Sequence, residues 1–494
     1  MKIEQNKRWR VDRMGSSDQT AMNRILNLLD DNSFVEIGAK VTKRNTDFNL
    51  EGKEVPADGV ITGYGLIDGS MVYVYSQDAT ALGGAIGEMH AKKIVKVYDL
   101  AMKIGVPVIG LIDCAGLRLQ EATDALNAFG SLYASKVMAS GVIPQITAVF
   151  GSCGGGVAVA NGLGDFTFME ENAKVFVSSP NVLDGNYVEK LDTSAAKFQA
   201  ESGNVDFVEN TEDIYNQIRQ LVTILPSNNE DDDSYAECTD DLNRASNVLE
   251  GEVKDPRTAL TDISDNGFFM EVKKAYAQEM VTGFIRLNGM TVGAVANASA
   301  LLDAEGKEVA TYEKVLTTAG CEKATHFVNV CDAFNIPVLT LTDVKGYKGT
   351  VEEEKTISAA VAKLTYAFAN ASVPKVNVIV GEAFGSAYIT MNSAHIGADL
   401  VFALPGAKIG MMDAEQAVKI MYADEIKEAA DAQSKIAEKV AEYQTLQGSV
   451  DAAASRGYVD SVIDGGSVRK QLIFAFEMLF TKRDDRPVKK HGTM

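Results

Sequence analysis

Two glycine-rich turns are the strongest candidates for chemistry in this sequence. They lie at residues 151–156 (GSCGGG) and 381–386 (GEAFGS), and each follows a short apolar run and leads into small, helix-compatible residues. Such a turn leaves backbone N–H groups without partners, and these groups can bind a phosphate or stabilise an oxyanion that forms during a reaction. Glycine permits the close approach that a side chain would block. Two matching turns favour this function over a purely structural role in helix packing.

Other catalytic chemistries find little support in residue type and spacing. No GxxxxGK[ST] phosphate loop occurs at either turn, and no GxGxxG sequence opens a helix there, which disfavours a nucleoside triphosphate site. The five cysteines form no CxxC pair and the four histidines show no HExxH spacing, so we expect no metal. Cys153 adjoins the first turn, but no histidine partner is evident, which disfavours nucleophilic catalysis.

We expect a second amide donor for each turn where the preceding apolar strand ends. Residues 115–116 follow Asp113 in one segment, and residues 345–346 follow Asp343 in the other. An aspartate at the end of a strand commonly fixes a turn through its side chain. We therefore favour a structural role for both aspartates over a catalytic one.

Three polar residues of one predicted helix require no chemistry. His90 is expected to be a packed or surface histidine, and Lys92 and Lys93 are expected at solvated helix positions, where they could also contact an anionic ligand. No catalytic function is assigned to any of them.

The sequence repeats itself, and the two turns occupy equivalent places in the repeat. Six proline, aspartate and glycine residues recur at an offset of 230 positions, which indicates a duplicated domain. The pairs are Pro107 with Pro337, Asp113 with Asp343, Gly116 with Gly346, Pro144 with Pro374, Gly151 with Gly381 and Gly155 with Gly385. Upstream the offset is 220, which predicts a ten-residue insertion around residues 303–308. Strand and helix patterns alternate in each half and predict an α/β fold.

At roughly 100–200 residues per domain, the length of 494 residues predicts two to four domains, and the repeat favours two. Residues 227–234 are polar and acidic, and this composition predicts an exposed connection. We therefore expect an N-terminal domain at 1–226, an acidic linker at 227–256 and a C-terminal domain at 257–494.

Charge and hydropathy exclude some classes of protein. Lys and Arg number 47 against 68 Asp and Glu, and the net charge of −21 disfavours nucleic-acid binding. No run of 18 uncharged apolar residues predicts a membrane span, and the first ten residues lack the apolar core of a secretory signal. We expect a cytoplasmic protein with no nucleic-acid partner.

Longer motifs occur along nearly the whole chain. They are GG at 83–84, EMHA at 88–91, ASGVIPQ at 139–145, GDFTFM at 164–169, FNIP at 334–337, VPKV at 373–376, HIGADL at 395–400, TKR at 481–483 and HG at 491–492. In residues and in order they resemble the biotin-dependent acyl-CoA carboxyltransferase family. That family includes the beta subunits of acetyl- and propionyl-CoA carboxylases, transcarboxylase, and the carboxyltransferase subunits of sodium-pumping acyl-CoA decarboxylases.

The resemblance implies a fold and an assembly. It implies two duplicated crotonase-like (ClpP/crotonase) domains, each a ββα superhelix. The active site is then expected at a dimer interface, between the N-half of one subunit and the C-half of another, within a homo-oligomer that is usually a hexamer. The N-half would hold an acyl-CoA, and the C-half would receive biotin. Because no AMKM biotinylation motif occurs, we expect biotin on a separate carrier protein or domain. Further expected partners are a biotin carboxylase or a membrane decarboxylase subunit.

The resemblance also implies a mechanism and the residues that serve it. Carboxybiotin releases CO2, the biotin ureido anion removes the α-proton of the thioester, and the resulting enolate attacks CO2. By this resemblance, the residues that hold the thioester oxyanion are Ala115, Gly116, Gly154, Gly155 and Gly156. Among them, Gly155 and Gly156 bind on the acyl-CoA side. Holding the biotin oxyanion falls to Gly385, Ser386 and Ala387.

The chain departs from the usual family residues around the expected pocket. Ser386 stands where a glycine is usual, and the usual Asp-Val-Pro-Gly-Phe reads DVKGY at 343–347. The usual Asp-Ser-Gly-Gly-Ala-Arg reads DCAGLR at 113–118, and Gly154 and Val157 replace alanines. The identity of the acyl group therefore stays open.

Three functions remain in competition. The first is a carboxyltransferase subunit that acts on a short acyl-CoA such as propionyl- or methylmalonyl-CoA, including the equivalent subunit of a sodium-pumping decarboxylase. The second is a non-catalytic paralogue that pairs with an active subunit. The third is a biotin-independent crotonase-like hydratase or isomerase, which requires a carboxylate beside the thioester. Glu121, near Arg118, is the candidate for that carboxylate, although a solvated helix start is the favoured interpretation of it.

Overall fold

The computed structural model describes residues 20–44, 48, 50, 55–186, 190–231, 235–484 and 486–493. The chain divides into two compact units, Met1–Asp233 and Ser234–Met494. The limits of the acidic linker at 227 and 256 remain a prediction, and residues 232–234 within it lie outside the described residues. The same is true of the first 19 residues, in which we expected no secretory signal.

A mixed β-sheet forms the centre of the N-terminal unit. Its strands are β1 Val35–Ile37, β2 Val60–Ile67, β3 Ser70–Gln77, β4 Val108–Cys114, β5 Gln145–Gly154, β6 Phe166–Glu170, β7 Lys174–Phe176 and β8 Phe207–Glu209. They lie in the order β1-β2-β3-β4-β5-β6-β8, and β7 pairs with β5. The pairs β1–β2 and β2–β3 are antiparallel, and β4, β5 and β6 are parallel neighbours. The apolar runs in β4 and β5 are typical of parallel strands buried on both faces.

The C-terminal unit contains a sheet of the same topology. The strands of this unit are β9 Phe269–Val272, β10 Met280–Leu287, β11 Met290–Asn297, β12 Ala300–Leu302, β13 Glu308–Thr311, β14 Val315–Leu316, β15 Val338–Val344, β16 Gly346–Tyr347, β17 Lys375–Phe384, β18 Leu400–Ala403, β19 Lys408–Gly410 and β20 Ser461–Val462. The pairs β12–β13 and β14–β16 form two small separate sheets, and the other strands form the central sheet. The order is β9-β10-β11-β15-β17-β18-β20, and β19 pairs with β17. The antiparallel pair β12–β13 brackets the insertion predicted around residues 303–308.

Helices connect the strands in both units. In the N-terminal unit they are α1 Ala21–Leu28, α2 Glu88–Ile104, α3 Ala122–Ala139, α4 Gly156–Asn161, α5 Ala196–Glu201 and α6 Thr211–Ile224. In the C-terminal unit they are α7 Pro256–Ile263, α8 Thr318–Ala333, α9 Val351–Glu354, α10 Ile357–Asn370, α11 Gly385–Thr390, α12 Ala414–Met421, α13 Ala423–Glu428, α14 Ala432–Tyr443, α15 Val450–Ala454 and α16 Val468–Leu479. The prediction of duplicated α/β domains agrees with this repeated order.

Each unit has its own hydrophobic core. In the N-terminal unit, Ile94, Val97 and Ala101 lie one helical turn apart on α2 and are fully buried in the same cluster as Val108 of β4. Burial of an aliphatic side chain of this kind contributes about 1.5–3 kcal/mol. In the C-terminal unit, Leu339 of β15 belongs to the corresponding cluster.

Two buried lysines lie at equivalent positions of the repeat. Lys93 of α2 donates from Nζ to the carbonyl oxygens of Ala57, at 2.9 Å, and Val60. Lys323 of α8 donates to the carbonyl oxygen of Tyr276 at 2.7 Å. The prediction that Lys93 is solvated was therefore wrong. The helical pattern does not reveal that a loop with spare carbonyl oxygens covers this position.

Candidate functional site

An aspartate at the end of β4 shapes the strand that leads to the first turn. Asp113 Oδ1 accepts a hydrogen bond from the N–H of Ser152 at 3.2 Å, and Oδ2 pairs with Arg24 Nη2 at 3.0 Å. The carboxylate lies where the register between β4 and β5 shifts, which marks a bulge. A methyl group at Gly151 would lie 2.1 Å from Asp113 Oδ1, so glycine leaves the room that the carboxylate needs.

The C-terminal unit repeats this arrangement. Asp343 Oδ1 accepts a hydrogen bond from the N–H of Glu382 at 2.8 Å, and Oδ2 pairs with Lys314 Nζ at 2.8 Å. A methyl group at Gly381 would lie 2.4 Å from Asp343 Oδ1. Both aspartates therefore hold a bulge in the next strand, in agreement with the structural role that we favoured for them.

The two glycine turns share a positive φ angle at equivalent positions of the repeat. Gly155 has φ 61° and Gly385 has φ 60°, in the left-handed region that glycine adopts at little cost. The short helix α4 follows the first turn and α11 follows the second. The sequence pattern thus located both turns correctly and showed why each needs this glycine.

The segment after β4 meets the first turn, as the sequence predicted. A methyl group at Gly154 would lie 3.1 Å from the carbonyl oxygen of Ala115, and one at Gly116 would lie 3.5 Å from the carbonyl oxygen of Gly154. The main chains of residues 115–116 and 154–156 are therefore neighbours.

Two amides of this region are already hydrogen-bonded within the chain. The N–H of Ala115 donates to the carbonyl oxygen of Gly83 at 3.0 Å, and the N–H of Gly155 donates to that of Phe176 at 2.8 Å. Neither offers a free N–H in this structure, and both act by shaping the backbone. The pattern of glycines cannot reveal such bonds, because their acceptors lie far away in sequence.

Two other amides are better placed as donors. The N–H of Gly116 is directed at Cys114 Sγ at 3.4 Å, and a thiol sulfur is a weak acceptor. The N–H of Gly156 belongs to the first turn of α4, where the helix itself supplies no acceptor. Aromatic side chains pack on this turn: Tyr133 donates from its hydroxyl to the carbonyl oxygen of Gly156 at 2.7 Å.

The second turn carries three amides and a hydroxyl group. The N–H groups of Gly385, Ser386 and Ala387 lie in the first turn of α11, where the helix itself supplies no acceptor. The hydroxyl of Tyr347 in β16 donates to Ser386 Oγ at 2.8 Å. The segment after β15 thus meets the second turn, as residues 115–116 meet the first.

The cysteines beside the first turn are unsuited to nucleophilic catalysis. Burial raises the pKa of the Cys114 thiol to about 11 and that of Cys153 to about 12. Both side chains are fully buried. The reactive thiolate is therefore disfavoured near neutral pH, in agreement with the sequence analysis.

A buried cluster of charges, which the sequence analysis missed, holds the start of α2. Arg118 Nη1 pairs with Asp58 Oδ1 at 2.5 Å and with Glu121 Oε1 at 2.7 Å. Glu121 Oε2 accepts a hydrogen bond from the N–H of Glu88 at 2.6 Å. The prediction of a solvated helix start for Glu121 was wrong, because its carboxylate is engaged at both oxygens and the residue is 3% exposed.

His90 joins this cluster as a packed histidine. The backbone N–H of His90 donates to Asp58 Oδ2 at 2.7 Å, and the ring atom Nδ1 lies 2.9 Å from the carbonyl oxygen of Asp58. Burial lowers the pKa of His90 well below its usual value, and burial also raises the pKa of Asp58 against the opposing effect of Arg118. The ring is therefore neutral at physiological pH and helps to anchor α2.

The described part of the chain offers neither a cluster of metal-ligating side chains nor a helix that could span a membrane. It contains no group of three or more His, Cys, Asp or Glu side chains that could hold a metal ion. No helix within it is both long enough and apolar enough to cross a bilayer. What the two turns present to a ligand is a set of backbone amides and, at the second turn, a pair of hydroxyl groups.

Comparison with known proteins places these features in a family context. The family model for the carboxyl transferase domain matches residues 14–494. The methylmalonyl-CoA decarboxylase subunit alpha of Propionigenium modestum is 38% identical over 499 residues, which cover 97% of this chain and 93% of that protein. The propionyl-CoA carboxylase carboxyltransferase subunit of Haloferax mediterranei is 40% identical over 489 residues, with 96% and 93% covered.

A solved structure is similar along nearly the whole chain. It is the transcarboxylase 12S subunit crystallised with methylmalonyl-coenzyme A and methylmalonic acid bound, and it forms a hexamer. The TM-score is 0.90 at 38% identity, and the match covers 96% of this chain and 92% of that one. The prediction of two duplicated crotonase-like domains is thereby confirmed. A single-chain long-chain acyl-CoA carboxylase, at 23% identity and a TM-score of 0.75, shares the fold.

Proposed function

Because this chain belongs to the carboxyl transferase family, we propose that it is an enzyme subunit that moves a carboxyl group between biotin and the α-carbon of a short acyl-CoA. The relatives act on methylmalonyl- or propionyl-CoA by their names. These two thioesters are therefore the first substrates to test. The structural observation that supports the proposal is the pair of equivalent turns, each of which leads into a short helix whose first amides have no acceptor within that helix.

The turn of the N-terminal unit is the proposed site of the thioester enolate. When the α-carbon loses its proton or its carboxylate, negative charge moves onto the thioester oxygen. Donors in position before the reaction stabilise that charge, and one such donor is worth about 10²–10³ in kcat. We assign this role to the N–H group of Gly156, for which α4 supplies no acceptor, and to that of Gly116, whose contact is with the weak acceptor Cys114 Sγ. Ala115, Gly154 and Gly155 support them by fixing the backbone.

The turn of the C-terminal unit is the proposed site of biotin. Biotin when bound supplies the transferred carboxyl group and the base for the α-proton. Its ureido carbonyl oxygen requires hydrogen-bond donors, and the amides of Gly385, Ser386 and Ala387 fit that need because the helix that they begin supplies them with no acceptor. Asp343 supports the turn by holding the bulge in β17.

The family context also suggests partners. We propose that biotin arrives on a separate carrier protein and that the chain assembles as a homo-oligomer like the hexameric transcarboxylase 12S. A biotin carboxylase would complete a carboxylase, whereas a membrane subunit would complete a decarboxylase of the kind to which the Propionigenium relative belongs. A cytoplasmic location is part of this proposal.

The hydratase or isomerase alternative loses its candidate residue. That function requires a carboxylate free to exchange protons beside the thioester. Glu121 pairs with Arg118 and accepts a hydrogen bond from the N–H of Glu88, so both of its carboxylate oxygens are engaged within the buried cluster. The non-catalytic paralogue remains as the second candidate, because the residues of the second turn depart from the usual family pattern.

A partial reaction tests the proposed function directly. The purified chain is mixed with methylmalonyl-CoA and free biotin, and propionyl-CoA is measured by chromatography. We expect biotin-dependent decarboxylation, with reactions lacking biotin and reactions with succinyl-CoA as controls. The absence of turnover with methylmalonyl-CoA and malonyl-CoA would contradict the proposal. Turnover that appears only after addition of a homologous subunit would instead support the non-catalytic paralogue.

A further inference from the structure

Two departures from the usual family residues contact each other at the second turn. Ser386 stands where a glycine is usual, and Tyr347 ends the DVKGY segment where a phenylalanine is usual. The Tyr347 hydroxyl donates to Ser386 Oγ at 2.8 Å. Neither hydroxyl would exist with the usual residues, so the chain has gained both partners of one hydrogen bond.

The direction of this bond determines what Ser386 can do. Because Tyr347 donates and Ser386 Oγ accepts, the hydroxyl hydrogen of Ser386 stays available for a third group. The described chain provides no acceptor for that hydrogen, and the side chain is exposed beside the turn. A hydroxyl that accepts one hydrogen bond becomes a better donor in the next, since hydrogen bonds in a chain polarise one another.

The N-terminal unit forms the same turn without these groups. Its equivalents, 230 positions earlier, are Leu117 and Gly156. A methyl group at Gly156 would lie 2.6 Å from the ring of Phe129, which leaves no space for a serine there. Since the repeat folds into this turn without a hydroxyl pair, the pair in the C-terminal unit is not required by the fold. A local role at the second turn is the remaining explanation.

We propose that Ser386 donates its hydroxyl hydrogen to the anionic ureido oxygen of biotin, in addition to the backbone amides, and that Tyr347 orients and polarises it. The inference rests on the proposed function, which takes biotin as the group at this turn. Ser386 is then a catalytic residue that acts through its side chain, whereas the other hydrogen-bond donors of the site are backbone amides. Tyr347 is a positioning residue, because it acts through Ser386.

Kinetics of three variants test the division of roles. A hydrogen bond to a charged group is stronger than one between neutral groups, so we expect Ser386→Ala to lower kcat/KM for biotin at least tenfold. Tyr347→Phe should lower it less, by about threefold, because the serine hydroxyl remains. The double variant should be no slower than Ser386→Ala. KM for the acyl-CoA should stay unchanged in all three, and Ser386→Thr, which keeps a hydroxyl, should restore most of the rate.

Equilibrium binding provides a readout that is independent of turnover. The dissociation constant of free biotin is measured by saturation-transfer NMR for the wild type and the variants. We expect weaker binding in Ser386→Ala and in Tyr347→Phe. The matched control is Tyr366→Phe, which removes a phenol hydroxyl that contacts Lys489 Nζ elsewhere in the same unit.

The possible outcomes separate this inference from the proposed function. An active wild type whose Ser386→Ala and Tyr347→Phe variants match it in rate and in biotin binding would overturn the inference and leave the function intact. A wild type without turnover, but with biotin binding that both substitutions weaken, would support the hydroxyl pair and count against catalysis by this chain alone. A wild type that neither binds biotin nor turns over would overturn both.

Discussion

Asp343 accepts a 2.8 Å hydrogen bond from the backbone N–H of Glu382, and this contact joins the end of one strand to the bulge in the next. Asp113 makes the equivalent contact to Ser152 at 3.2 Å in the other unit. Chemistry that depends on backbone amides requires the backbone itself to be held in place. In both units a buried or half-buried carboxylate with a cationic partner does so.

Substitution of this aspartate tests its supporting role. Asp343→Asn removes the ion pair with Lys314 Nζ at 2.8 Å and weakens the bond to the bulge. We expect a loss of about 1–3 kcal/mol in the free energy of unfolding and a lower kcat, measured by urea denaturation and by the decarboxylation assay. Asp464→Asn, at an exposed position of the same unit, is the control. An Asp343→Asn protein with wild-type stability and rate would contradict the role.

The glycine beside each aspartate is predicted to be irreplaceable for reasons of space. Gly381→Ala would place a methyl group 2.4 Å from Asp343 Oδ1, and overpacking of this kind costs about 1–3 kcal/mol. Gly130→Ala is the matched control, because that glycine lies in α3 and its methyl group would meet nothing within 4 Å. We expect Gly130→Ala to be stabilising by up to about 1 kcal/mol. Equal effects of the two substitutions in thermal unfolding would refute the explanation.

The buried lysine of α8 predicts a pH dependence of stability. Burial lowers the pKa of Lys323 to about 7 in the folded chain, whereas a lysine in the unfolded chain has a pKa of about 10.4. Between these values the unfolded state binds more protons, so the contribution of Lys323 to stability rises with pH, by about 1.4 kcal/mol per pH unit at most.

The measurement compares wild type with Lys323→Met between pH 7 and pH 9. We expect the wild type to gain stability relative to the variant as pH rises, because methionine has no proton to lose. Lys92→Met, at the exposed partner of Glu88, serves as the control and should follow the wild type. Parallel curves for wild type and Lys323→Met would show that the lysine is not titrating in this range.

Alkylation of the thiols tests the prediction that no cysteine acts as a nucleophile. Burial raises the pKa of Cys114 to about 11 and that of Cys153 to about 12, while Cys238 is only half-buried. We expect iodoacetamide at pH 7 to label Cys238 first and to leave activity unchanged, as followed by mass spectrometry. Unfolded protein, in which all five cysteines should react, is the control. Rapid labelling of Cys153 with loss of activity would contradict this prediction.

The duplicated architecture could be predicted from the sequence because a repeat preserves the residues that backbone geometry demands. Gly151 and Gly381 are needed for space beside a carboxylate, and Gly155 and Gly385 are needed for a left-handed backbone. Such requirements are local, so they recur at a constant offset in the chain. The resemblance to one family added the roles, and the family itself is confirmed by the comparisons.

Contacts between distant segments could not be predicted in this way. Lys93 lies on a helix face that a loop covers, and Glu121 pairs with Arg118 inside a buried cluster. The N–H of Ala115 donates a hydrogen bond to the carbonyl oxygen of Gly83. In each case the partner lies elsewhere in the chain, and the residue type alone does not indicate which partner that is.

The sequence by itself determined the repeat, the strand and helix pattern and the positions of both turns, because these depend on periodicity and on residues with special backbone freedom. The tertiary structure alone decided which amides remain free for a ligand and which side chains meet at the turns. Tyr347 and Ser386 illustrate the difference, since their hydrogen bond joins residues 39 positions apart. A hydrogen bond depends on the distance between two atoms in space, and only the folded chain sets that distance.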